Sequence, residues 1–381
     1  MKICFVGLQN LSVLAPEYRA GYVAGEPVQQ TLLARALARR GHQVSMVVAD
    51  CGQPDGQRWD AVRAFKAFRL DAGLPGLRFF HPRLTGMWAA LARAGADVYY
   101  TSCAGMQVGL LAMFCRRARK RLVFRAASDA DCEPSRLLVR YARDRHLYEY
   151  GLRHADAILV QSESQARALA RNYGLTGRVA RMLVEGEGAA RARDIDVLWI
   201  ANVRRLKRAD RALELADRLP QARLHMVGGP TSGEEALFDE IEHEAARRPN
   251  ISFHGGVSYA EANDLCGRAR LLVNTSDVEG FPNTYLQAWI RGVPVVTLID
   301  PDRVIAREGL GARLRDPADF PAAVGSLLAD PAAWQAASDR CRAYMAREYG
   351  EDRILAAYLE TFEAVMRAAT RPRAARRALH A

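Results

Sequence analysis

The chain has 381 residues, half of them hydrophobic and a quarter charged, and a formal net charge of +11. That length leaves room for two globular domains of ordinary size. No apolar run approaches the roughly 18–20 residues a membrane-crossing helix needs, and the basic charge comes without the aromatic interleaving expected of a nucleic-acid binder.

In chain order, the opening Met1-Lys2-Ile3-Cys4-Phe5-Val6-Gly7 is too short in its apolar part for a signal peptide and reads as a first strand over 2–8. A Gly-rich loop follows, then a helix over about 27–40 and a strand at 43–49. Further apolar strands are expected at 98–101, 121–125 and 157–161. The polar, glycine-containing stretch 184–193 reads as a linker. A second series opens with a strand at 196–201 and continues with strands at 223–228, 251–254, 271–274 and 294–297. Late helices are expected at 331–347 and 352–368, with a loose basic tail to the end. Continuous β-rich runs separated by helices imply parallel sheets covered on both faces. The organisation expected is α/β, with two doubly wound Rossmann-like domains (1–188 and 189–350), a helix over 351–368 and a tail over 369–381. Doubly wound sheets bind ligands at the carboxyl ends of their strands, so a central cleft is expected.

Residues 1–185 carry 27 Lys+Arg against 15 Asp+Glu, so all of the excess positive charge lies in the first half. Clusters stand at Arg116, Arg117, Arg119, Lys120 and Arg121, and at Arg136, Arg140, Arg143 and Arg145. Such a field suits an anionic membrane face or a phosphorylated acceptor; a solvated, arginine-rich surface explains it as well. Seven cysteines without a Cys-x-x-Cys pair point to reduced thiols in the cytoplasm and away from a zinc site.

The most informative run is SDVEGFPNTYLQAWIRGVPVV, from Ser276 to Val296. It puts Glu279 on a Gly280-Phe281-Pro282-Asn283 turn that follows a strand and opens a helix. A helix N-terminus offers free N–H groups and a positive dipole end, and so can hold an anion such as phosphate. A carboxylate beside it can accept hydrogen bonds from sugar hydroxyls. This segment resembles the family 4 glycosyltransferases of the GT-B type, whose hallmark is Glu, seven residues, then Glu. The resemblance implies a GT-B fold whose last helix crosses back to the first domain. It also implies that Glu279 contacts the donor sugar, that the backbone of Gly280, Phe281, Pro282 and Asn283 approaches sugar and phosphate, with Leu286 beside it, and that Gln287 faces the ribose. Gln287 stands where the family has its second Glu. A neutral acceptor for a charged one should weaken nucleotide binding about tenfold.

Family members usually have Gly-Arg after the first strand of the second domain, with a Lys five residues after the Arg. Here Asn202 takes the Arg position and Lys207 keeps the Lys position. Only four of the 54 basic residues are lysines, so Lys207 within an Arg-rich loop suggests a place for a compact ammonium. Arg204 or Arg205 could supply the charge missing at Asn202. By the same resemblance Gly25 lies near donor phosphate or acceptor, and Gly228 and His254 flank the nucleotide base; simple turns explain these equally. Ser128 stands where many relatives carry a histidine, leaving Asp129 or a backbone carbonyl to serve, and one of Asp129 and Asp131 could equally cap its loop. Core packing is the expected role of the Phe281 and Tyr285 rings.

The function expected is a retaining hexosyltransferase, moving a sugar from a UDP- or GDP-sugar to an acceptor hydroxyl in bacterial cell-surface polysaccharide or glycolipid assembly. The resemblance implies no metal and no other cofactor. The expected partners are the donor and a lipid-linked acceptor at an anionic membrane face, with the protein cytoplasmic or peripheral at the inner face. The alternatives are a nucleotide-sugar epimerase and a silent GT-B partner subunit, the latter raised by Asn202, Ser128 and Gln287 together.

Overall fold

The structure, a computed structural model, describes residues 1–18, 25–74, 77–186 and 192–370. Residues 21–24 of the Gly-rich loop, half of the linker stretch (187–191) and the basic tail from 371 lie outside the described residues. Two compact units are present, one of Met1–Tyr18, Glu26–Arg181 and the segment from Glu351, the other including Met182–Gly350.

The first unit is built on β1 (Lys2–Val6), β2 (Gln43–Val48), β3 (Arg58–Trp59), β4 (Val62–Lys66), β5 (Val98–Ser102), β6 (Arg121–Arg125), β7 (Ala157–Val160) and β8 (Arg178–Val179). They lie in the order β3-β4-β2-β1-β5-β6-β7-β8. All neighbours are parallel except β3 and β4. Strands such as Ile3-Cys4-Phe5-Val6 bury every side chain because helices cover both faces of the sheet. The helix Gly25–Arg39 turns Val28, Leu32, Leu33 and Ala36 inward at helical spacing. The last helix, Glu351–Thr370, buries Ile354, Leu355, Tyr358, Phe362 and Val365 on one stripe. Tyr358 and Phe362 meet the Tyr100 ring of β5 edge-on at 6.3 and 6.2 Å. That packing assigns the helix to the first unit although it is the chain's last element.

The β3–β4 hairpin was not expected from the sequence. Its two-residue turn uses Asp60 and Ala61, both with positive φ (47° and 65°). Turns of that shape favour Asn-Gly or Asp-Gly, and Asp-Ala gives no such signal.

The second unit holds β9 (Ile195–Ile200), β10 (Leu224–Val227), β11 (Ile251–Phe253), β12 (Ala269–Asn274), β13 (Val295–Thr297) and β14 (Gly311–Arg313). Their order is β11-β10-β9-β12-β13-β14, all parallel. Its core joins Val197, Trp199, Met226, Leu271, Val273 and Val296 of the sheet to Ala212, Leu213, Ala216 and Phe320 of the covering helices. Burying a Val, Leu, Met or Phe side chain among these contributes about 1.5–3 kcal/mol. No helix among the described residues is long and apolar enough to cross a membrane.

Candidate functional site

In the second unit the chain runs from β9 outward to β10 and β11, then returns to lay β12 on the other side of β9. The loops after β9 and β12 therefore part at the carboxyl edge of the sheet, the place where doubly wound sheets hold ligands. Both loops carry the charged residues singled out from the sequence, and they are laced together. Thr275 Oγ accepts from Trp199 Nε1 and donates to the carbonyl of Lys207, each at 2.8 Å. The Asp277 N–H donates to the Leu206 carbonyl at 2.9 Å. Arg211 donates to the Thr275 carbonyl and the Asp277 carboxylate at 2.8 and 2.7 Å.

This lacing fixes Lys207 against Glu279. The ammonium lies 2.6 Å from Glu279 Oε1, and the two side chains are 18% and 13% exposed. Ser276 Oγ and Asn274 Nδ2 donate to the same oxygen at 2.7 and 3.3 Å. Among the described residues all three donors reach Oε1, so Oε2 keeps its acceptor capacity. An ammonium has three N–H groups, of which Glu279 takes one.

Beside this pair Gly280, Phe281 and Pro282 are buried, and Phe281 packs edge-on against Trp289 at 6.1 Å. The helix Asn283–Ile290 begins there with no side-chain cap and no acidic residue in its first turn. Its dipole end and first N–H groups are thus left for an external anion. Tyr285 and Leu286 lie in the core, the Tyr285 hydroxyl bonded to Thr297 at 2.7 Å. Gln287 is 7% exposed and donates to Asn263 Oδ1 at 3.1 Å.

The remaining residues of this unit are more dispersed. Asn202 is half-buried in the β9 loop. Arg204 turns to Glu234, whose carboxylate lies 3.7 Å from its Nε and also accepts from the Arg205 N–H at 2.6 Å. Glu234 therefore draws the Arg204 charge toward itself. Gly228 is required by packing, because a Cβ there would sit 1.8 Å from the carbonyl oxygen of Ala201. The rings of His254 and His225 share one hydrogen bond of 2.9 Å, and burial lowers the pKa of each.

Gly25 opens its helix and is exposed. Ser128 caps the short turn Asp129–Cys132, accepting from the Ala130 N–H at 3.3 Å. Asp129 accepts from Gln165 at 3.0 Å, and Asp131 accepts from the N–H groups of Ala127 and Ser128 at 2.8 and 3.2 Å. Of the two aspartates, Asp131 is the one that caps this loop. Neighbouring polar residues escaped the sequence argument. Arg125, 1% exposed, pairs with Glu26 at 3.2 Å, and Asn10 donates to Gln30, which donates to Ser102. Their signal was present, as an Arg closing the apolar strand Leu122-Val123-Phe124 and a Gln on the apolar face of a helix. Among the described residues no group of three His, Cys, Asp or Glu side chains could hold a metal ion.

Residues 25–184 match the family described as glycosyl transferase 4-like domain, and residues 194–330 match glycosyl transferases group 1. The chain belongs to the family 4 glycosyltransferases. The chain is 27% identical over 246 residues to D-inositol 3-phosphate glycosyltransferase of Streptomyces bingchenggensis (strain BCW-1), covering 56% of the chain and 54% of that protein. The match thus spans about half the length of that curated relative. Among solved structures, sucrose-phosphate synthase from Thermosynechococcus elongatus superposes with a TM-score of 0.76 at 18% identity, covering 96% of this chain and 99% of that one. Anabaena HepE, solved in complex with UDP and glucose, gives 0.68 at 14% identity over 96% and 100% of the two chains. WaaG, a glycosyltransferase involved in lipopolysaccharide biosynthesis, gives 0.66 at 16% identity over 93% and 98%. These likenesses show the GT-B fold.

One residue of the first unit makes stability depend on pH. Burial pushes the Asp131 carboxyl up to about 6, against the pull of its backbone N–H donors. An acid whose folded pKa is raised contributes stability that is complete below its ordinary pKa and is lost as pH rises through about 6. Between about pH 4 and pH 7 the wild type should therefore lose about 2 kcal/mol relative to Asp131→Asn, as read by urea unfolding. Parallel pH profiles for the two proteins would contradict it.

Proposed function

We propose that this glycosyltransferase moves a hexosyl group from a nucleoside diphosphate sugar, a UDP- or GDP-sugar, to an acceptor hydroxyl with retention of configuration. The observation that carries the reading is Lys207 Nζ held 2.6 Å from Glu279 Oε1, beside an uncapped helix N-terminus at the β9/β12 divide. Cation and N–H groups together suit a diphosphate, and the unclaimed carboxylate oxygen suits sugar hydroxyls. The complex of HepE with UDP and glucose supports the donor class by analogy.

In this reading the acceptor oxygen forms its bond to the anomeric carbon on the face from which the diphosphate departs. The carbon–oxygen bond to the diphosphate breaks with its electron pair going to the leaving group, and the acceptor proton passes to a departing phosphate oxygen. Lys207 and the N–H groups of Asn283–Ile290 meet the charge that develops on that group, which needs no metal in this scheme. Glu279 orients the sugar. A lipid-linked acceptor in cell-surface polysaccharide or glycolipid assembly fits the basic first half.

The test is incubation with UDP- and GDP-sugars and lipid-linked acceptors while free nucleotide is followed. Acceptor-dependent release of one nucleotide is expected. Nucleotide binding with no release under any acceptor would remove the transferase reading and mark a silent subunit.

A further inference from the structure

We propose that an arginine-ringed apolar patch on the first unit docks the protein onto an anionic lipid bilayer. Among the described residues the exposed large hydrophobic side chains are Leu70, Leu74, Leu77, Phe80, Leu138 and Tyr141, between 52% and 70% exposed. All six fall in two stretches, 70–80 and 138–141. Arg143, two positions past the second stretch, links it to the first: its guanidinium carbon lies 4.0 Å from the centre of the Phe79 ring, and Phe79 stands edge-on to Phe80 at 5.3 Å. An apolar patch this concentrated is unusual on a surface meant only for water.

Charge identifies its occupant. Arg69, Arg78, Arg83, Arg136, Arg140 and Arg143 lie in or beside the same stretches. Asp71, Glu133 and Asp144 pair with Arg69, Arg136 and Arg143. Arg78, Arg83 and Arg140 have no ion pair among the described residues, so the patch is net positive. A second copy meeting this face through a two-fold axis would set one cationic rim against another. Leucine and phenylalanine entering the acyl boundary while arginines stay at headgroup level is the arrangement that holds proteins on anionic membranes. This deepens the reading of a membrane-borne acceptor by naming the surface that reaches it.

The test is flotation of the full chain with phosphatidylcholine vesicles and with vesicles that also contain phosphatidylglycerol, at low and high salt. Binding is expected only to the anionic vesicles, weakened by salt. The triple variant Leu74→Ser, Leu77→Ser, Phe80→Ser should partition at least about tenfold more weakly. Arg78→Glu with Arg140→Glu should lose the anionic preference. These side chains are exposed, so melting temperatures should stay near wild type and show that loss of binding is not loss of fold. Equal flotation with both lipids, a triple variant that binds like wild type, or a concentration-dependent dimer abolished by the triple variant would each overturn the proposal. Vesicle binding is read without turnover, so it can fail while sugar transfer stands, and the converse.

Discussion

Lys207→Ala should lower the rate of acceptor-dependent nucleotide release by roughly 10²–10³-fold, as removal of one preorganised donor to a developing oxyanion commonly does. Lys207 is placed for this by the β9 loop, which holds its carbonyl on Thr275 at 2.8 Å and leaves the ammonium against Glu279. Arginine should rescue little of the loss, since a planar fork does not reproduce a compact ammonium in that position. Glu279→Gln keeps the shape and removes the charge, and should raise KM for the sugar donor as well as slow release. A purely structural pair would behave differently. Its single variants would lose stability together, and the double variant Lys207→Ala, Glu279→Ala would recover it without affecting the donor. Nucleotide release within twofold of wild type in Lys207→Ala would end the proposed role of this lysine.

Glu26→Ala should cost about 3–5 kcal/mol, because it leaves a guanidinium buried without its carboxylate. Arg125 is 1% exposed, and of its nitrogens Nη1 alone reaches Glu26, while Nε and Nη2 are buried with no partner among the described residues. The nearby Tyr100, Tyr358 and Cys103 resist ionisation through burial and so offer no replacement charge. For a unit of this size the melting temperature should fall by about ten degrees. Replacing both residues together, Glu26→Leu with Arg125→Met, should recover much of the loss, since apolar groups can replace a buried ion pair at little cost. A melting temperature unchanged in Glu26→Ala would mean that the pair carries no such weight.

Most of the sheet architecture was legible along the chain. Strands buried on both faces appear as unbroken apolar runs, and a strand such as Arg121–Arg125 ends where its run ends. Short or edge elements were not. Arg178–Val179 and Gly311–Arg313 are too brief to show a period, and the Asp60-Ala61 turn breaks the usual composition of its type. At the candidate site, Glu279 and the Gly280-Phe281-Pro282 turn stood out by residue type and by the family resemblance, and Lys207 by that resemblance and by the scarcity of lysines. Their supporting residues were not, because Thr275, Asn274, Ser276 and Asn263 are ordinary polar residues whose importance lies in what they touch.

By itself the sequence determined which segments bury both faces, that two strand–helix series follow each other, and that an acid sits on a glycine-proline turn ahead of a helix. These are local matters of hydrophobic pattern and turn chemistry. Only the tertiary structure decided that residues 72 positions apart in sequence share one proton-bearing contact, Lys207 with Glu279. It also decided that Arg204 is drawn to Glu234. Strand order brings these groups within hydrogen-bond range, and strand order is set by how helices cover a sheet as a whole, which no single segment encodes.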